Sequence, residues 1–523
     1  MLTLPPAASL ASAQVVFFGH YGDVSALANQ RGVHRQTLYR EAHAAAVAVE
    51  GSLHRQQRDD LRQRLADAES RCAALEQRLQ HAVVFDPDRQ KHFVATAQAQ
   101  GVSLTTTHDL LAVCLEADTP VRTQLGRWAQ AAGRHASAVL QVLDSYSGAR
   151  ARQVAADEIF SGRKPVLMTV EQESLCWLGG YLADNREATT WLAELRKLRA
   201  VEQVTRDGGA GLRKGVALLN QERQRAQQAP AYDQDDHFHL LHEGHRALRC
   251  VRQRAARALR QAEEAQRALA ALARAGQARP GGKVVAANRL WQKAEAAFDH
   301  WGQQERAYER LRAALPLLTP QGELNSRVRA EAEVRAALAE LKGREWTRLR
   351  RRVVVAGTFT FLDRVQEQLA TVPLPEEIKA QVVRAEALKR RPELLRGEGP
   401  QAAALRGVVL AVGVAVSLLG QAGAEGVQAV RRILRGAWRA SSLVEGLNSV
   451  VRMHQGRQKR LTQGLLDLKR LFWNVHEFRA GKRKKSSPYG RLGIVLPKGS
   501  WWELLKRSPD QLQEELSALN PAA

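Results

Sequence analysis

Cysteine is scarce in this sequence, and its distribution argues against two common ways of stabilising a fold. The four cysteines among 523 residues are Cys72, Cys114, Cys176 and Cys250. No two of them form a C-x-x-C pair, so the sequence indicates neither a disulfide framework nor a zinc knuckle. This usage is typical of a reducing compartment, and we expect a cytoplasmic protein.

Aromatic residues and internal prolines are also few. Phe, Trp and Tyr make up 5% of the chain, and no proline occurs between Pro165 and Pro230 or between Pro400 and Pro488. The composition is rich in Ala, Leu, Arg, Glu and Gln, which are good helix formers. We therefore predict long uninterrupted elements, most of them helices.

The sequence has no segment that we interpret as a membrane anchor. Residues 1–10 have no basic region ahead of an apolar stretch, so we predict no signal peptide. The longest apolar run, residues 407–420, is shorter than the about 20 residues that a bilayer span requires. We interpret this run as a buried helix of a soluble protein.

Acidic residues are too few to balance the basic ones. There are 54 Asp and Glu against 78 Lys and Arg, which gives a net charge of +24 and an isoelectric point near 10.5. This balance predicts a polyanionic partner, with nucleic acid first and an anionic membrane surface second. At ~150 residues per domain, the length predicts roughly three domains and excludes a single small module.

The first 50 residues have the spacing of a helix-turn-helix. A short helix, a turn at Gly32 and a second helix are predicted within residues 23–41. The second helix would expose three side chains suited to base edges or phosphates, Arg35, Gln36 and Arg40. We favour DNA binding by residues 1–50 over an ordinary helical hairpin.

Residues 51–150 are predicted to be helical. They contain a heptad seam of apolar side chains at alternating steps of four and three residues: Leu61, Leu65, Ala68, Cys72, Leu75 and Leu79. The seam predicts either a dimeric coiled coil or an intramolecular hairpin. After a break at residues 86–88, residues 105–144 predict two more helices, which form either a second DNA-binding module or a spacer.

Residues 151–245 change to a mixed α/β pattern. Short apolar runs predict five strands at residues 154–160, 165–170, 175–182, 201–205 and 237–241. Helical spacing predicts two helices between the later strands, at residues 186–199 and 211–228. The order βββαβαβ, followed by helices, indicates a mixed domain.

Residues 246–435 have almost no strand pattern and predict a large all-helical insertion into that domain. The predicted helices are residues 246–275, 284–315, 323–352, 380–395 and 402–420. Their charge-dense faces are typical of solvated helix surface. We assign residues 436–523 to the interrupted mixed domain, with further helices and a basic tail.

Three acidic residues have positions that indicate a catalytic or metal-binding role. Asp157 lies in the middle of the first strand, where an unpaired carboxylate would be costly, and Asp207 directly follows the fourth strand. Glu158 is an alternative to Asp157, but strand alternation should turn it to the opposite face. The third acid, Glu445, belongs to a polar stripe on an otherwise apolar helix, formed by Ser441, Glu445, Asn448 and Arg452. Such a helix should be buried, with its stripe facing something polar. Three carboxylates can hold two Mg²⁺ ions about 3.5–4 Å apart at a phosphodiester.

These features together resemble the DDE transposases of bacterial insertion sequences. The resemblance rests on the strand order, the three acids, the Ser-Ser-x-x-Glu-x-x-Asn-Ser helix that starts at Ser441, and short motifs at residues 237–239, 473–474, 481–483 and 487–489. It covers about residues 150–245 and 436–505. It implies an RNase H-like catalytic core with Asp157, Asp207 and Glu445 as the catalytic, metal-binding triad.

The resemblance also implies an activity and partners. The activity is cleavage of transposon-end DNA and strand transfer into target DNA, with Mg²⁺ or alternatively Mn²⁺ as cofactor. The N-terminal modules would recognise terminal inverted repeats on double-stranded DNA. We expect a homodimer or higher oligomer on DNA, associated with the bacterial nucleoid.

Positive charge is concentrated near the end of the chain. Between Val451 and Arg491 there are 12 Lys and Arg against Asp467 and Glu477, a net charge of +10. We favour phosphate contact over a solvated tail for this stretch. Our predicted DNA-binding residues here are Asn448, Arg452, Lys482, Arg483, Lys484 and Lys485.

Other functions are weighed against these expectations. The H-x-H-x-x-H-x-x-H pattern of His237, His239, His242 and His245 suggests a metal site, but convergence would need an unusual bend, so we favour ordinary packing. No phosphate-binding loop or nucleophile elbow is present, which argues against ATP-driven chemistry and serine hydrolysis. A non-catalytic DNA-binding protein and an RNase H-like nuclease without strand transfer remain the alternatives.

Overall fold

A computed structural model of the chain describes residues 5–81, 85–278, 280–353, 357–390, 399–458 and 461–521. The described residues are mostly helical, as the composition predicts, and contain one small mixed sheet. The chain divides into two compact units, Met1–Asp88 and Arg89–Ala523. The division falls at the predicted break at residues 86–88, inside the region 51–150.

The first unit consists of three helices, α1 (Ala7–Phe18), α2 (Asp23–Arg31) and α3 (Arg35–His81). Gly32 ends α2 in the left-handed conformation, with φ 61°, which a residue with a side chain rarely adopts. The backbone N–H groups of Gly32 and Val33 both donate to the carbonyl of Ala28. The predicted helix, turn and second helix are therefore present at the expected residues.

A small polar network joins the three helices of this unit. Arg31 donates from Nη1 to Glu41 Oε2 at 2.8 Å, and the buried Ser12 hydroxyl donates to the same oxygen at 2.6 Å. Leu38 and Ala42 of α3 are fully buried nearby in sequence. These contacts lie in the first third of α3, so the rest of this 47-residue helix must be stabilised otherwise.

The heptad seam lies on the second half of α3 and is exposed. Leu61, Leu65 and Leu75 are 62%, 59% and 55% exposed, and Cys72 is also exposed. The side chain of Leu79 lies outside the described part of the chain. Within the described residues of this unit, no helix packs along these leucines, so the dimeric coiled coil and the intramolecular hairpin both stay predictions.

The second unit contains a five-stranded sheet in the order β3-β2-β1-β4-β5. The strands are β1 (Gln153–Ser161), β2 (Lys164–Glu171), β3 (Trp177–Leu182), β4 (Gln203–Arg206) and β5 (Tyr232–Asp235). Strand β2 is antiparallel to both β1 and β3, whereas β4 runs parallel to β1 and β5 runs parallel to β4. The first four strands occur where the apolar runs predict them.

Five helices precede or interrupt the strands: α4 (Pro87–Ala99), α5 (Leu104–Leu115), α6 (Arg122–Gly148), α7 (Ala188–Leu195) and α8 (Ala210–Arg225). Helices α6, α7 and α8 cover one face of the sheet. Val154 and Ala156 of β1 are fully buried on this face, together with Leu140 and Leu143 of α6. At ~1.5–3 kcal/mol for each fully buried large apolar side chain, such packing rather than helix propensity stabilises the layer.

The prediction of a strand at residues 237–241 is wrong, because these residues form the first turn of α9 (His237–Arg274). The fifth strand lies just before it, at Tyr232–Asp235. Asp236 separates the two as the helix N-cap, since its side chain accepts a hydrogen bond from the backbone N–H of Phe238 at 2.7 Å.

The helical insertion has its own core. Helix α9 forms a long hairpin with α10 (Gly281–Ala314), and the buried side chains include Tyr308, Trp346 and Phe361. The other helices are α11 (Arg327–Glu340), α12 (Thr347–Val353), α13 (Thr360–Ala370), α14 (Glu376–Lys389) and α15 (Pro400–Arg435). The single helix predicted at residues 323–352 is divided in two, because Gly343 adopts φ 113° between α11 and α12.

The apolar run 407–420 lies in the first half of α15, and the prediction that it is buried is wrong. Leu410 is 70% and Leu418 is 82% exposed, whereas Val427 and Val430 after the bend at Gly420 are buried. Within the described part of the chain, Arg406–Arg435 is the one helix that is long and apolar enough to cross a bilayer by length and composition.

The opposite face of the sheet is covered by the helix that carries Glu445. Five helices end the chain: α16 (Ser442–Arg457), α17 (Gln463–Val475), α18 (Pro488–Arg491), α19 (Trp501–Lys506) and α20 (Pro509–Leu519). Val444, Leu447 and Val451 of α16 pack against Ala155 and Ile159 of β1. The insertion therefore leaves the sheet after β5, and the chain returns to it at α16.

Candidate active site

The register of two parallel strands brings Asp157 and Asp207 together. Ala156 of β1 pairs with Arg206 of β4, so the residues that follow them occupy neighbouring positions. Adjacent strands are about 4.8 Å apart. Asp207 lies at the carboxyl end of β4, where its Oδ1 accepts the backbone N–H of Gly209 at 2.9 Å. The two acids, 50 residues apart in sequence, thus share one edge of the sheet.

Strand alternation on β1 turns Asp157 towards α16. Ala155 and Ile159, two residues on either side, pack against that helix, and Asp157 is only 4% exposed. Glu158 points to the other face, where it pairs with Arg186. This orientation removes Glu158 as an alternative ligand, as the alternation predicts.

The polar stripe of α16 meets this edge of the sheet. Ser441 and Asn448 are fully buried, Glu445 is 23% exposed, and Arg452 lies 3.5 Å from Glu445 Oε2. Asn448 Nδ2 donates to Asp157 Oδ2 at 2.7 Å. Asn448, which we assigned to DNA contact, is therefore a buried partner of a carboxylate. The helix is not buried on all sides either, because its outer face is exposed at Gly446 and Met453.

The segment that leads into α16 is attached to the sheet at four successive residues. Each attachment is a hydrogen bond with a residue more than 200 positions earlier in the sequence. The bonds are Gln203 Nε2 to Trp438 O (2.7 Å), His237 N to Arg439 O (2.9 Å), Gln172 Nε2 to Ala440 O (2.9 Å) and Ser441 Oγ to Asp236 Oδ2 (2.5 Å). These bonds set the position from which Glu445 reaches the site.

Two further side chains, which the sequence pattern did not indicate as site residues, complete the cluster: Asp236 and His239. His239 Nδ1 lies 2.5 Å from Asp236 Oδ2, and His239 Nε2 lies 3.7 Å from Glu445 Oε1. The hydrogen bond to Asp236 raises the pKa of His239, and the charges of Asp157 and Asp207 act in the same direction. Burial alone would raise the pKa of Asp236, but hydrogen bonds from His239 and Ser441 lower it overall. The sequence signal that could have identified this pair is an acidic residue at a helix N-cap, three residues before a histidine.

The other histidines of the four-histidine pattern do not converge with His239. His237 is buried with Nε2 at 2.7 Å from the carbonyl of Thr358, and burial lowers its pKa to about 4. His242 and His245 are exposed on the next turns of α9. Ordinary packing explains His237, whereas His239 faces the carboxylates.

The three acids of the candidate triad interact electrostatically. Burial raises the pKa of Asp157 to about 7, and the charges of Asp207 and Glu445 contribute in the same direction. The backbone N–H of Glu158 and the side chain of His239 oppose this shift. A buried acid whose pKa is raised by burial and by two like charges is characteristic of a functional site.

The donor set fits a hard divalent cation by its chemistry. Mg²⁺ prefers oxygen ligands, and three carboxylates of like charge would be stabilised by a cation between them. In this arrangement, however, Glu445 contacts His239 and Arg452. Among the described residues, no three His, Cys, Asp or Glu side chains lie close enough together to hold a metal ion.

The predicted DNA-binding residues outside the cluster are mostly exposed. Arg35, Gln36 and Arg40 lie exposed at the start of α3, and Lys484 and Lys485 are exposed near the end of the chain. Half-buried Arg483 instead donates to the carbonyl of Glu173 at 3.4 Å. The side chain of Lys482 lies outside the described part.

Comparison with known proteins adds no assignment. No protein-family model matches the chain, and no curated protein sequence matches it.

Proposed function

We propose that this chain is a DDE-type transposase with an RNase H-like catalytic core. The activity would be Mg²⁺-dependent cleavage of transposon-end DNA followed by strand transfer into target DNA. The observation that carries the proposal is that Asp207 of β4 and Glu445 of α16 both lie close enough to the buried Asp157 of β1 for their charges to raise its pKa. A protein that only binds DNA has no evident need for three acids from such distant positions at one sheet edge.

The topology supports the same interpretation. The strand order, the antiparallel β1–β2–β3 meander and the parallel β4 and β5 are what the resemblance to these transposases implies. The long helical insertion between β5 and α16 accounts for the separation of Glu445 from the other two acids. Asp236 and Gln203 form hydrogen bonds with the returning segment, and these bonds fix the point from which Glu445 reaches the site.

The residues of the site have distinct roles in this proposal. The three carboxylates would hold Mg²⁺, which when bound activates a water or 3′-hydroxyl and stabilises the leaving oxygen of a phosphodiester. Asn448 orients Asp157 through a hydrogen bond of 2.7 Å. His239 is oriented by Asp236, and its hydrogen bond to Asp236 together with the nearby charges of Asp157 and Asp207 raises its pKa, which favours the charged imidazolium beside the acids.

The proposed partner is double-stranded DNA. The exposed Arg35, Gln36 and Arg40 would contact transposon ends, while Lys484 and Lys485 would contact phosphates. Arg452 pairs with Glu445 and is 52% exposed, so it is suited to a phosphate close to the triad. A homodimer through the exposed seam of α3 would place two copies on DNA in the bacterial nucleoid.

Incubation of the full chain with the DNA that flanks its gene tests the proposal directly. In Mg²⁺ or Mn²⁺ we expect strand cleavage at the element ends and joining of the 3′ ends to target DNA, both abolished by chelation. Cleavage without joined products would indicate a nuclease, and binding without cleavage would indicate a non-catalytic DNA-binding protein. An Asp207→Ala protein that still cuts the ends would remove the basis for the enzymatic assignment.

A further inference from the structure

A second feature, separate from the triad, lies where the insertion approaches the end of β4. A cavity of about 200 Å³ adjoins Gly208, the residue after Asp207. Its lining includes Arg206, Arg213, Arg351 and Arg352, which come from the sheet, α8 and the insertion helix α12. The volume is several times the ~30 Å³ that a water molecule occupies in the liquid.

The charges of this cavity are not balanced within it. Arg206 is fully committed, because it pairs with Asp233 at 2.5 Å and with Asp235 at 2.7 Å. Asp236, the second acid of the lining, accepts hydrogen bonds from Ser441 and His239. Asp235 is therefore already paired with Arg206, and it is not free to balance the other arginines of the lining.

Arg213 and Arg351 are the uncommitted cations. Both side chains are exposed, and neither side chain forms an ion pair or hydrogen bond with another described residue. Arg352 lies against the backbone of Gly208, so closely that a Cβ at residue 208 would be 3.3 Å from its guanidinium carbon. The absence of a side chain at residue 208 thus lets an arginine of the insertion approach the backbone next to Asp207.

We propose that Arg213, Arg351 and Arg352 bind a phosphate of the DNA strand beside the carboxylate cluster. Guanidinium groups donate to phosphate oxygens in a bidentate geometry, and three of them around one cavity match a dianionic or bridging phosphate. The insertion would then contribute directly to substrate binding, and not only connect β5 to α16. This inference rests on the proposed function for the identity of the strand, whereas the phosphate chemistry follows from the cavity.

The test compares two doubly substituted full-length proteins. Arg213→Gln with Arg351→Gln removes the two uncommitted charges while retaining hydrogen-bonding side chains. The control is Arg335→Gln with Arg348→Gln, which removes two charges from the same insertion at side chains that are 78% and 65% exposed. Neither control residue lines the cavity.

Binding to one 40-base-pair duplex is measured over a range of salt concentrations. The proposal places the guanidinium groups around one phosphate, and the loss of one phosphate contact reduces the log–log salt slope by about 0.9. The salt slope of the cavity variant should therefore be shallower than that of wild type by up to about 0.9. The control should keep the wild-type slope. Equal slopes for the two variants would overturn the proposal.

A second measurement separates this proposal from the proposed function. If wild type binds no duplex DNA, the transposase assignment fails. Thermal stabilisation by inorganic phosphate then tests whether the cavity binds phosphate. Stabilisation of wild type and the control, but not of the cavity variant, would support a site for free phosphate. Absence of stabilisation in wild type, without DNA binding, would overturn the site itself.

Discussion

Two helices of this protein carry side-chain stripes with the same spacing of four and three residues, and they have opposite environments. The apolar stripe on α3 is exposed, with Leu61 at 62% and Leu75 at 55%. The polar stripe on α16 lies against the sheet, where Ser441 and Asn448 are fully buried. Hydrophobicity alone would have predicted the reverse.

The comparison shows that spacing defines a helix face but not its neighbour. On α16 the buried polar groups are satisfied, because Ser441 bonds to Asp236 and Asn448 bonds to Asp157. On α3 the apolar face has no such partner within its own described unit, and only another chain or segment could cover it. The spacing of a stripe therefore predicts which side chains need a common partner surface, but it does not predict what that surface is.

The largest effect is expected at the carboxylates that the polar stripe faces. Asp157→Asn keeps the shape of the side chain but removes the charge, and we expect strand cleavage to fall by on the order of 10³-fold or more, since metal-ion stabilisation supplies several kcal/mol. Glu158→Gln on the opposite face is the matched control and should retain activity. DNA affinity, measured by gel shift, should be unchanged in both proteins. Full activity of the Asp157→Asn protein would contradict the site.

The apolar stripe should be the dimer interface. We expect the chain to be a dimer by light scattering, and Leu65→Gln with Leu75→Gln to raise the dissociation constant by at least ~10²-fold, because each buried leucine contributes ~1.5–3 kcal/mol. Ala66→Gln with Ala73→Gln changes the residues that directly follow the seam residues Leu65 and Cys72, and it should leave the dimer intact. A monomeric wild-type chain would refute this use of the seam.

The buried polar side chains of the α16 stripe should contribute to the stability of the fold. Asn448→Leu leaves the buried Asp157 Oδ2 without its donor, and we expect the free energy of unfolding to fall by about 1–3 kcal/mol. Ser449→Ala, at the exposed next residue, should change it by less than about 0.5 kcal/mol. Chemical denaturation measures both. A stabilised Asn448→Leu protein would mean that the buried amide contributes nothing to the position of α16.

The first turns of α3 should act on DNA independently of the seam. Arg40→Ala should weaken all duplexes about equally and make the salt slope shallower by about 0.9 if the residue contacts one phosphate. Gln36→Ala should instead relax the preference among sequences. A binding-site selection with residues 1–88, which form a compact unit, distinguishes the two effects. Identical profiles for both variants would contradict base reading by Gln36.

The smallest effect concerns another buried polar group next to α16. Lys469 of α17 donates to the carbonyl of Gln98 at 2.8 Å and lies 3.1 Å from His454 Nδ1. Burial lowers the pKa of Lys469 from 10.5 to about 7. Between these values the unfolded chain binds more protons, so the free energy of unfolding should rise with pH, by at most ~1.4 kcal/mol per pH unit. Lys469→Met should remove this pH dependence of the free energy of unfolding between pH 7 and 9. An unchanged pH dependence would show that other titratable groups cause it.

The local patterns of the sequence predicted much of the fold. Alternation on β1 correctly placed Asp157 and Glu158 on opposite faces, and Gly32 correctly marked the turn in the first unit. The errors arose where a local pattern had two solutions. Residues 237–241 alternate like a strand, but the Asp236 side chain caps them as a helix. The run 407–420 is apolar enough for a core, yet nothing in the described second unit covers Leu410 or Leu418.

The sequence by itself determined which side chains share a face, where chain turns are possible and how the charge is distributed, because these depend on residues a few positions apart. Only the tertiary structure decided that Asp157 stands beside Asp207, that His239 joins them, and that one stripe is buried and the other exposed. The register of β1 and β4 joins residues 50 positions apart, and the attachment of residues 438–441 joins residues more than 200 positions apart. These long-range hydrogen bonds decide the geometry of the site. Such pairings depend on which distant surfaces exclude water together, and no local spacing specifies that.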